Sequence, residues 1–330
     1  MSWSETVIRK RRPAATLTVV AVAVLAALAL ASLFVGVGSL TPAMLLHDGE
    51  ARQLVLASRL PRTIAVVLTG AGLAIAGLVM QTLARNRFVE PMTAGTGQSA
   101  ALGILVATIL WPEASLSAKA AVATGTALGG TSIFLALAHR LPPSEPFLVP
   151  LFGLVFGGIV GALVTAIAWR ADLLQFQDVW MNGEFSGVLR GRYELLWGAA
   201  VMVFAAFWVA DRLTVLSLGR DASVGLGLNY ERMLQLGLLI VSVIAALTVV
   251  IVGIVPFVGL VVPALASRLI GDNVRASLPA VALLGATLVL ASDIAGRLIR
   301  FPYEIPVGTV LGVFGAAMFL AILAARLSRG

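Results

Sequence analysis

Residues 63–84 read TIAVVLTGAGLAIAGLVMQTLA, a stretch without a single charged side chain. About 20 apolar residues in a helix are enough to cross the roughly 30 Å of hydrocarbon in a bilayer, so this stretch predicts a membrane-spanning helix. Comparable uncharged runs occur at 13–46, 91–112, 146–169 and 305–325. Together they place the chain among integral membrane proteins.

Further apolar runs lie at 120–138, 195–210, 233–267 and 276–292. The run 233–267 is too long for one span and contains Pro256 and Pro263, so it predicts two helices with a break near Val255. The predicted helices are 15–38, 61–84, 93–111, 118–139, 147–169, 194–211, 232–254, 257–270, 277–299 and 306–327. The predicted fold class is all-α: one polytopic membrane domain, residues 1–330, with about ten transmembrane helices.

The composition agrees with a bilayer as the solvent of this chain. The mean hydropathy is +1.01, and 59% of the residues are hydrophobic whereas only 12% are charged, which excludes an ordinary soluble domain. The formal net charge is +7. Because the basic residues are scattered through short connections, this charge does not indicate nucleic-acid binding.

The sequence carries none of the common catalytic or metal-binding motifs. It has no cysteine, so a disulfide framework and a thiolate metal site are both excluded. The patterns G-x-x-x-x-G-K-[ST], H-E-x-x-H and G-x-S-x-G do not occur, and the two histidines lie at the ends of predicted segments. These features argue against an enzyme and favour a transport protein.

The distribution of Lys and Arg predicts the orientation in the membrane. If both termini are cytoplasmic, most of the 23 basic residues fall on cytoplasmic connections, beginning with the tail 1–14. The first apolar run also resembles a signal peptide, with Ala29-Leu30-Ala31 as a candidate cleavage sequence. The run continues past that sequence, which favours an uncleaved first span.

Two connections are long enough to have a role of their own. The outer one, 171–193, predicts a short surface helix. The inner one, 211–231, mixes charge, glycine and short apolar stretches, which predicts short helices lying against a partner. An ordinary solvated loop is the alternative for the inner connection.

Few ionisable residues lie within the predicted spans. Asp293 and Arg297 are four residues apart on one helix face, so they can form an ion pair. A role in partner docking or in the transport pathway, and a role in proton coupling, are the alternatives. With so little buried charge, a conduit driven by a separate motor is favoured over a proton-coupled secondary transporter.

Four stretches, taken in order, carry a family resemblance. They are RLPR at 59–62 with the run that follows to 86, LGRD at 218–221, GIVPFVGLVVP at 253–263, and EIPVG at 304–308 preceded by Asp293 and Arg297. In these stretches, which extend over nearly the whole chain, the sequence resembles the iron-siderophore and cobalamin permeases of ABC transporters.

The resemblance implies a permease subunit of an ABC importer for an iron-siderophore complex, located in the cytoplasmic (inner) membrane. Two permease subunits, identical or paralogous, would enclose one pathway. Two ATP-binding subunits would hold the ATP and Mg²⁺, and an extracytoplasmic binding protein would deliver the cargo, so this chain itself would bind no cofactor or metal. Import of cobalamin or haem by the same family, a proton-coupled transporter and a non-transporting scaffold are the alternatives.

The resemblance also assigns roles to residues. Within the coupling loop 212–231, the residues implied to contact the ATP-binding subunit are Leu218, Gly219, Arg220, Asp221, Ala222, Gly225 and Leu226. The residues implied to dock the binding protein are Arg59, Arg62 and Arg297, with membrane-interface anchoring as the alternative for the first two. The residues implied to form the gate and the pathway are Ser144, Glu145, Pro256, Pro263 and Pro306.

Some positions depart from the family pattern. Ala264 stands where family members commonly have a histidine, and Ala317 where a proline often occurs. The segment 86–98 differs from the cobalamin type and resembles members that handle catecholate siderophores. The difference at 86–98 favours a siderophore over cobalamin as the cargo.

Overall fold

The computed structural model describes residues 12–36, 41–142, 145, 147–271 and 273–327, and its regular secondary structure in these ranges is helical throughout. The helices are α1 Arg12–Phe34, α2 Pro42–His47, α3 Gly49–Leu54, α4 Leu60–Leu83, α5 Thr96–Leu110, α6 Leu116–Ala138, α7 Leu148–Arg170, α8 Leu174–Met181, α9 Trp197–Trp208, α10 Ala210–Leu216, α11 Arg220–Gly225, α12 Tyr230–Ile251, α13 Val258–Ile270, α14 Val274–Ile299 and α15 Val307–Leu327. A π-helical turn, Val55–Arg59, joins α3 to α4, and a 3-10 turn, Tyr193–Leu196, precedes α9.

The ten membrane spans predicted from the sequence are present as helices. Five helical runs are long and apolar enough to cross a membrane: the continuous run Gly49–Leu83, α6, α7, α12 and α14. Residues 193–208 and α10 are apolar enough only when taken together, and a bend of 67° separates them, as in a broken span or a re-entrant loop. Helices α1, α5, α13 and α15 are apolar but shorter. The predicted boundaries agree with most of these helices to within a few residues, but the run Gly49–Leu83 begins well before the predicted start at residue 61.

Helix α4 lies at the centre of the bundle and is buried along most of its length. Its glycines allow other helices to approach backbone to backbone. A Cβ atom on Gly70 would lie 2.5 Å from the carbonyl oxygen of Gly285 in α14, and one on Gly77 would lie 2.2 Å from the backbone of Gly259 in α13. In a bilayer no hydrophobic effect draws helices together, so they associate through close van der Waals packing, which small residues allow.

Helix α7 contrasts with α4, because most of its apolar side chains are exposed. Leu151, Leu154 and Ile159 have 58%, 58% and 66% of their surface accessible. This face is available to lipid or to a neighbouring subunit.

The chain between α12 and α13 is irregular, as the predicted break near Val255 requires. Gly253 has φ +96° and Phe257 has φ +68°, so the chain turns sharply at both residues. Backbone groups of this segment pair with the end of α8 and the residues after it: the Ile254 carbonyl accepts from the Gly183 amide at 3.0 Å, and the Ile254 amide donates to the Trp180 carbonyl at 2.9 Å. Irregular backbone at membrane depth is stable because protein groups replace water as partners.

Both long connections contain the predicted short helices, α8 in the outer one and α10 and α11 in the inner one. Between residues 38 and 61 the sequence predicts no helix, and this was wrong: the chain is helical over α2 and continuously from Gly49. Pro42 begins α2, and the Asp48 carboxylate caps α3 by accepting from the Glu50 amide at 2.8 Å. Charged residues near this cap interrupt the apolar pattern, so the pattern does not predict these helices.

Candidate functional site

The bundle has two ends, which we name after the predicted topology. The outer end carries Arg62 and Glu304, and the inner end carries Arg85 and the connection between α10 and α12. Three arrangements stand out among the described residues: a buried ion cluster at the outer end, a carboxylate that caps α13, and an exposed surface at the inner end.

The outer ion cluster consists of Arg62, Asp293, Arg297 and Glu304. Asp293 has no accessible surface, and its carboxylate lies 2.8 Å from Arg62 Nη2 and 2.5 Å from Arg297 Nη2. Arg62 also reaches Glu304, with 3.0 Å between its Nη1 and the Glu304 Oε1. The predicted pair of Asp293 and Arg297 is confirmed, and Arg62 joins it from a position 231 residues away.

Two arginines tie the end of α1 to this cluster. Arg297 donates to the Val35 carbonyl at 2.8 Å and to the Ser32 hydroxyl at 2.6 Å. Arg59 donates to the Leu33 carbonyl at 2.9 Å. Cations are favoured at a helix C-terminus, where carbonyl groups lack intrahelical partners.

The structure therefore shows where the three arginines predicted to dock a partner lie. Arg59 and Arg297 are 6% and 4% accessible, and the Arg62 side chain is 13% accessible. The outer cluster reaches the surface through Glu304, whose side chain is 25% accessible and which lines a shallow depression of about 500 Å³ with Arg300 and Tyr303. Partner docking at these arginines stays a prediction.

A buried carboxylate holds the start of α13. Glu90 is 1% accessible, and its Oε1 accepts a hydrogen bond from the Phe257 amide at 2.6 Å, across 167 residues of sequence. The first amides of a helix have no partner within the helix and carry a partial positive charge, so an acid is stabilising there. Glu90 carries no signal of this role in the sequence, because its partner is distant in the chain.

Pro263 lies inside α13 without ending it. A proline lacks the amide that would bond to the carbonyl four residues earlier, here that of Gly259. The side-chain amide of Gln81 donates to this carbonyl at 3.1 Å. Gln81 at the end of α4 and Glu90 in the segment after it thus each supply a hydrogen-bond partner to the first turn of α13.

The other predicted pathway and gate residues lie in two places: Pro256 and Pro306 lie just before α13 and α15, and Glu145 lies before α7. Pro256 is half-buried in the break before α13, and Pro306 immediately precedes α15, whose Gly308 amide donates to the Gly183 carbonyl at 2.8 Å. Glu145 is exposed before α7, and Ser144 lies outside the described residues. A gate and a pathway at these positions stay predictions.

The inner surface is formed by residues 217–227. Leu218 and Leu226 are 63% and 67% accessible, and Arg220 forms an exposed ion pair with Glu231 at 3.3 Å. The predicted coupling residues Asp221, Ala222 and Gly225 are exposed as well, whereas Gly219 is buried where α11 begins.

Ser223 holds α11 in place within this surface, a role that the sequence did not predict. It is fully buried, and its hydroxyl donates to the Val215 carbonyl at 2.9 Å, which joins α11 to α10. The apolar side chains on either side of it therefore point outward from a fixed helical turn. Large exposed apolar side chains on a defined surface are typical of a contact site for another protein.

The described residues offer no site for a resident metal. Within them, no group of three or more His, Cys, Asp or Glu side chains lies close enough to hold a metal ion.

Comparisons with known proteins agree with this architecture. The profile of the FecCD transport family matches residues 22–325. The chain is 44% identical over 301 residues to the petrobactin import system permease protein of Bacillus subtilis, covering 91% of this chain and 95% of that protein. It is 38% identical over 293 residues to the ferric-anguibactin transport system permease protein of Vibrio anguillarum, covering 88% and 93%.

A solved structure gives the same fold. It is described as an inward-facing conformation of a metal-chelate type ABC transporter, and it matches with a TM-score of 0.80 and 24% sequence identity. The match covers 94% of this chain and 99% of that one.

Proposed function

The chain belongs to the FecCD transport family, and from that premise we propose that it is the permease subunit of an ABC importer that moves an iron-siderophore complex across the cytoplasmic membrane. The observation that carries the proposal is the 44% identity to a petrobactin import permease over 91% of this chain. The identity extends through the whole bundle and is not confined to one motif, which supports a common transport task. A chain of this family with these apolar helices is an integral membrane protein.

In the proposed assembly, energy comes from ATP hydrolysis in two separate subunits that bind the ATP and Mg²⁺. The sequence of this chain has no phosphate-binding motif, so it needs such partners. A second permease subunit, identical or paralogous, would complete the pathway, and the exposed apolar face of α7 would contribute to that contact.

The inner surface is the proposed contact with the ATP-binding subunit. Leu218 and Leu226 would enter an apolar groove of the partner, while Arg220 and Asp221 would set the register at its rim. Because Ser223 fixes α11 to α10, a push on this surface would be passed to the bent span α9–α10 as a rigid-body movement.

The outer end is the proposed contact with the extracytoplasmic binding protein. In this topology both termini of the chain are cytoplasmic. Arg62 is the most accessible of the three implied docking arginines, and Arg59 and Arg297 would act from behind it by holding α1 and α14. The segments around Pro256 and Pro306, the start of α5 and helix α7 would line the pathway, with Ser144 and Glu145 at the cytoplasmic gate.

Proton coupling through Asp293 has less support than ATP-driven transport. Two guanidinium groups contact this carboxylate, and no accessible surface connects it to water. An acid in that setting is a structural ion pair rather than a proton relay, which must exchange protons with both sides of the membrane.

Transport by reconstituted complexes tests the proposal. The chain would be co-expressed with ATP-binding and binding-protein genes from the same operon and inserted into liposomes. We expect uptake of a ferric catecholate siderophore that requires internal ATP and survives collapse of the proton gradient. Uptake at the full rate without any ATP-binding subunit would refute the proposal, and uptake of cobalamin but not of the siderophore would assign the cargo to the alternative.

A further inference from the structure

At the inner end of the bundle, helix α4 is followed by a left-handed residue that is not glycine. The last residue of α4 is Leu83, and Arg85, two residues later, has φ +47°. The Arg85 amide donates to the Thr82 carbonyl at 3.3 Å, and the Asn86 amide donates to the Gln81 carbonyl at 3.0 Å. This pair of hydrogen bonds is the Schellman motif, in which the left-handed residue is usually glycine.

An arginine is an unfavourable residue at this position. The Cβ atom of an L residue crowds the backbone in the left-handed region, and the short side chains of Asn and Asp tolerate it best because they hydrogen-bond locally. Helix α7 ends in the same motif, with the Leu173 amide donating to the Ala168 carbonyl at 2.8 Å, and its left-handed residue is Asp172, with φ +56°. Ending α4 does not by itself explain an arginine there.

The Arg85 side chain contacts the segment that forms the inner surface. Its guanidinium lies against Gly219, the residue before α11, where a Cβ atom would be 3.2 Å from Nη1. Its Nη2 donates to the hydroxyl of Tyr230, the first residue of α12, at 3.2 Å, and its Cζ lies 5.9 Å from the centre of that ring. One side chain at the end of α4 thus contacts the chain on both sides of α11.

Gly219 leaves the space for this contact. It is buried and has φ +103°, a conformation that favours glycine. Its carbonyl accepts from the Ser223 amide at 2.9 Å, in the first turn of α11. Any side chain at position 219 would displace the guanidinium, so the glycine keeps the start of α11 close to the end of α4.

Stability does not account for Arg85. The residue is exposed, and the contact of an exposed guanidinium with an aromatic ring is weak. The left-handed backbone opposes this small gain. A glycine at position 85 would therefore serve the fold at least as well, and what it would remove is the link between the inner surface and α4.

We propose that Arg85 is a positioning residue that couples the inner surface to α4, so that displacement of α11 by an ATP-binding subunit moves the inner end of this central helix. The proposal rests on the proposed function, in which that subunit contacts the inner surface. Ser223 joins α11 to α10, whereas Arg85 joins it to α4, which packs closely against α13 and α14. A push on one surface would then reach the bent pair α9 and α10 and the centre of the bundle together.

The coupling of transport to ATP hydrolysis tests this role. The chain would be assembled in liposomes with the ATP-binding subunits and the binding protein, and uptake of the ferric siderophore used to test the proposed function would be divided by the ATP hydrolysed. R85G removes the side chain and supplies the residue that the Schellman motif prefers, so Tm should not fall. We expect uptake per ATP to fall at least about fivefold, the lower end of typical couplings between sites.

D172G is the matched control, because it makes the same backbone change in the same motif at the end of α7. It should leave uptake per ATP unchanged. R85K keeps a cation near the Tyr230 ring and should recover part of the uptake that R85G loses. If Arg85 only ended the helix, R85G would behave as D172G does, and equal uptake per ATP in R85G and the wild type would overturn the proposal. So would loss of the ATP-binding subunits from the R85G complex, because the arginine would then serve assembly and not transmission.

Y230F keeps the test decisive if R85G disturbs folding. It removes the hydroxyl that accepts from Arg85, leaves the left-handed backbone as it is, and should lower uptake per ATP about twofold, as the loss of a weak hydrogen bond would. Should R85G fail to fold, wild-type coupling in Y230F would overturn the proposal. The wild type measured in parallel separates the two hypotheses: an absence of ATP-dependent uptake in the wild type would refute the proposed function, whereas equal coupling in the wild type and the variants would refute only the role of Arg85.

Discussion

The two ends of the bundle treat charge in opposite ways. At the outer end, Arg62, Asp293 and Arg297 are paired with side chains 13%, 0% and 3% accessible. At the inner end, Arg220 and Glu231 are paired with side chains 67% and 61% accessible. Arginine–carboxylate ion pairs are thus buried at the outer end and exposed to solvent at the inner end.

This difference follows from what each pair has to do. A buried pair gains little when it forms, because both ions lose their hydration, but it is strongly destabilising to leave one partner alone. An exposed pair contributes little to stability and remains free to exchange partners. The outer pairs therefore hold α1, α4 and α14 in one arrangement, whereas the inner pair leaves its surface free of such a constraint.

The largest effect should come from removing the shared acid of the outer cluster. Asp293→Ala leaves the Arg62 and Arg297 guanidinium groups without their common partner, and it should destabilise the protein by about 3–5 kcal/mol. Thermal unfolding of the purified chain in detergent would measure this. A fall in Tm no larger than that of an exposed substitution would contradict the comparison.

The double variant Asp293→Ala/Arg297→Ala sharpens this prediction. If the pair is buried and coupled, the two losses should be far from additive, because the second change removes a charge that the first had stranded. Additive losses would mean that the two side chains act independently.

The next largest effect should come from Glu90, an acid buried at the start of α13 among backbone amides. Glu90→Ala removes the acceptor of the Phe257 amide and should cost about 1.5–3 kcal/mol, the range for a hydrogen bond to a charged group. Glu90→Gln keeps an oxygen in place and should cost less. Glu113→Ala, an exposed position on the turn after α5, is the matched control and should change Tm very little.

A smaller effect is expected where α4 meets α13. Gly77→Ala would place a Cβ atom 2.2 Å from the Gly259 backbone, so the helices must separate at a cost of about 1–3 kcal/mol. Gly125→Ala is the control, because a Cβ atom there has open space around it. It should be neutral or stabilising by up to about 1 kcal/mol, given the higher helix propensity of alanine. Equal Tm values for the two variants would show that the approach is not tight.

The sequence was sufficient for the long apolar helices, because each is a local apolar run, but not for α2 and α3. The i, i+4 spacing was sufficient for the pair of Asp293 and Arg297. It could not identify Arg62 as a third member or Glu90 as a cap. Their partners lie 231 and 167 residues away, and such contacts depend on how α4 packs against α13 and α14. Long-range packing leaves no periodic pattern in the chain.

The same distinction applies to the inner end. The mixture of charge, glycine and short apolar stretches predicted short helices in this connection, and α10 and α11 lie there. Ser223 gave no such signal, since its role depends on the Val215 carbonyl of the neighbouring helix.

The smallest stability effect should come from Arg220, on the exposed side of the comparison. Arg220→Ala removes one ion pair between accessible side chains and should change stability by about 0–1 kcal/mol. Arg275→Ala, which breaks the exposed pair with Asp211, is the control and should behave alike in Tm. The two variants should differ in function, because Arg220 belongs to the inner surface and Arg275 does not: ATP-dependent uptake by the reconstituted complex should fall only for Arg220→Ala. A loss of Tm comparable to that of Asp293→Ala would show that the inner end is as fixed as the outer one, and the difference between the two ends would then have another cause.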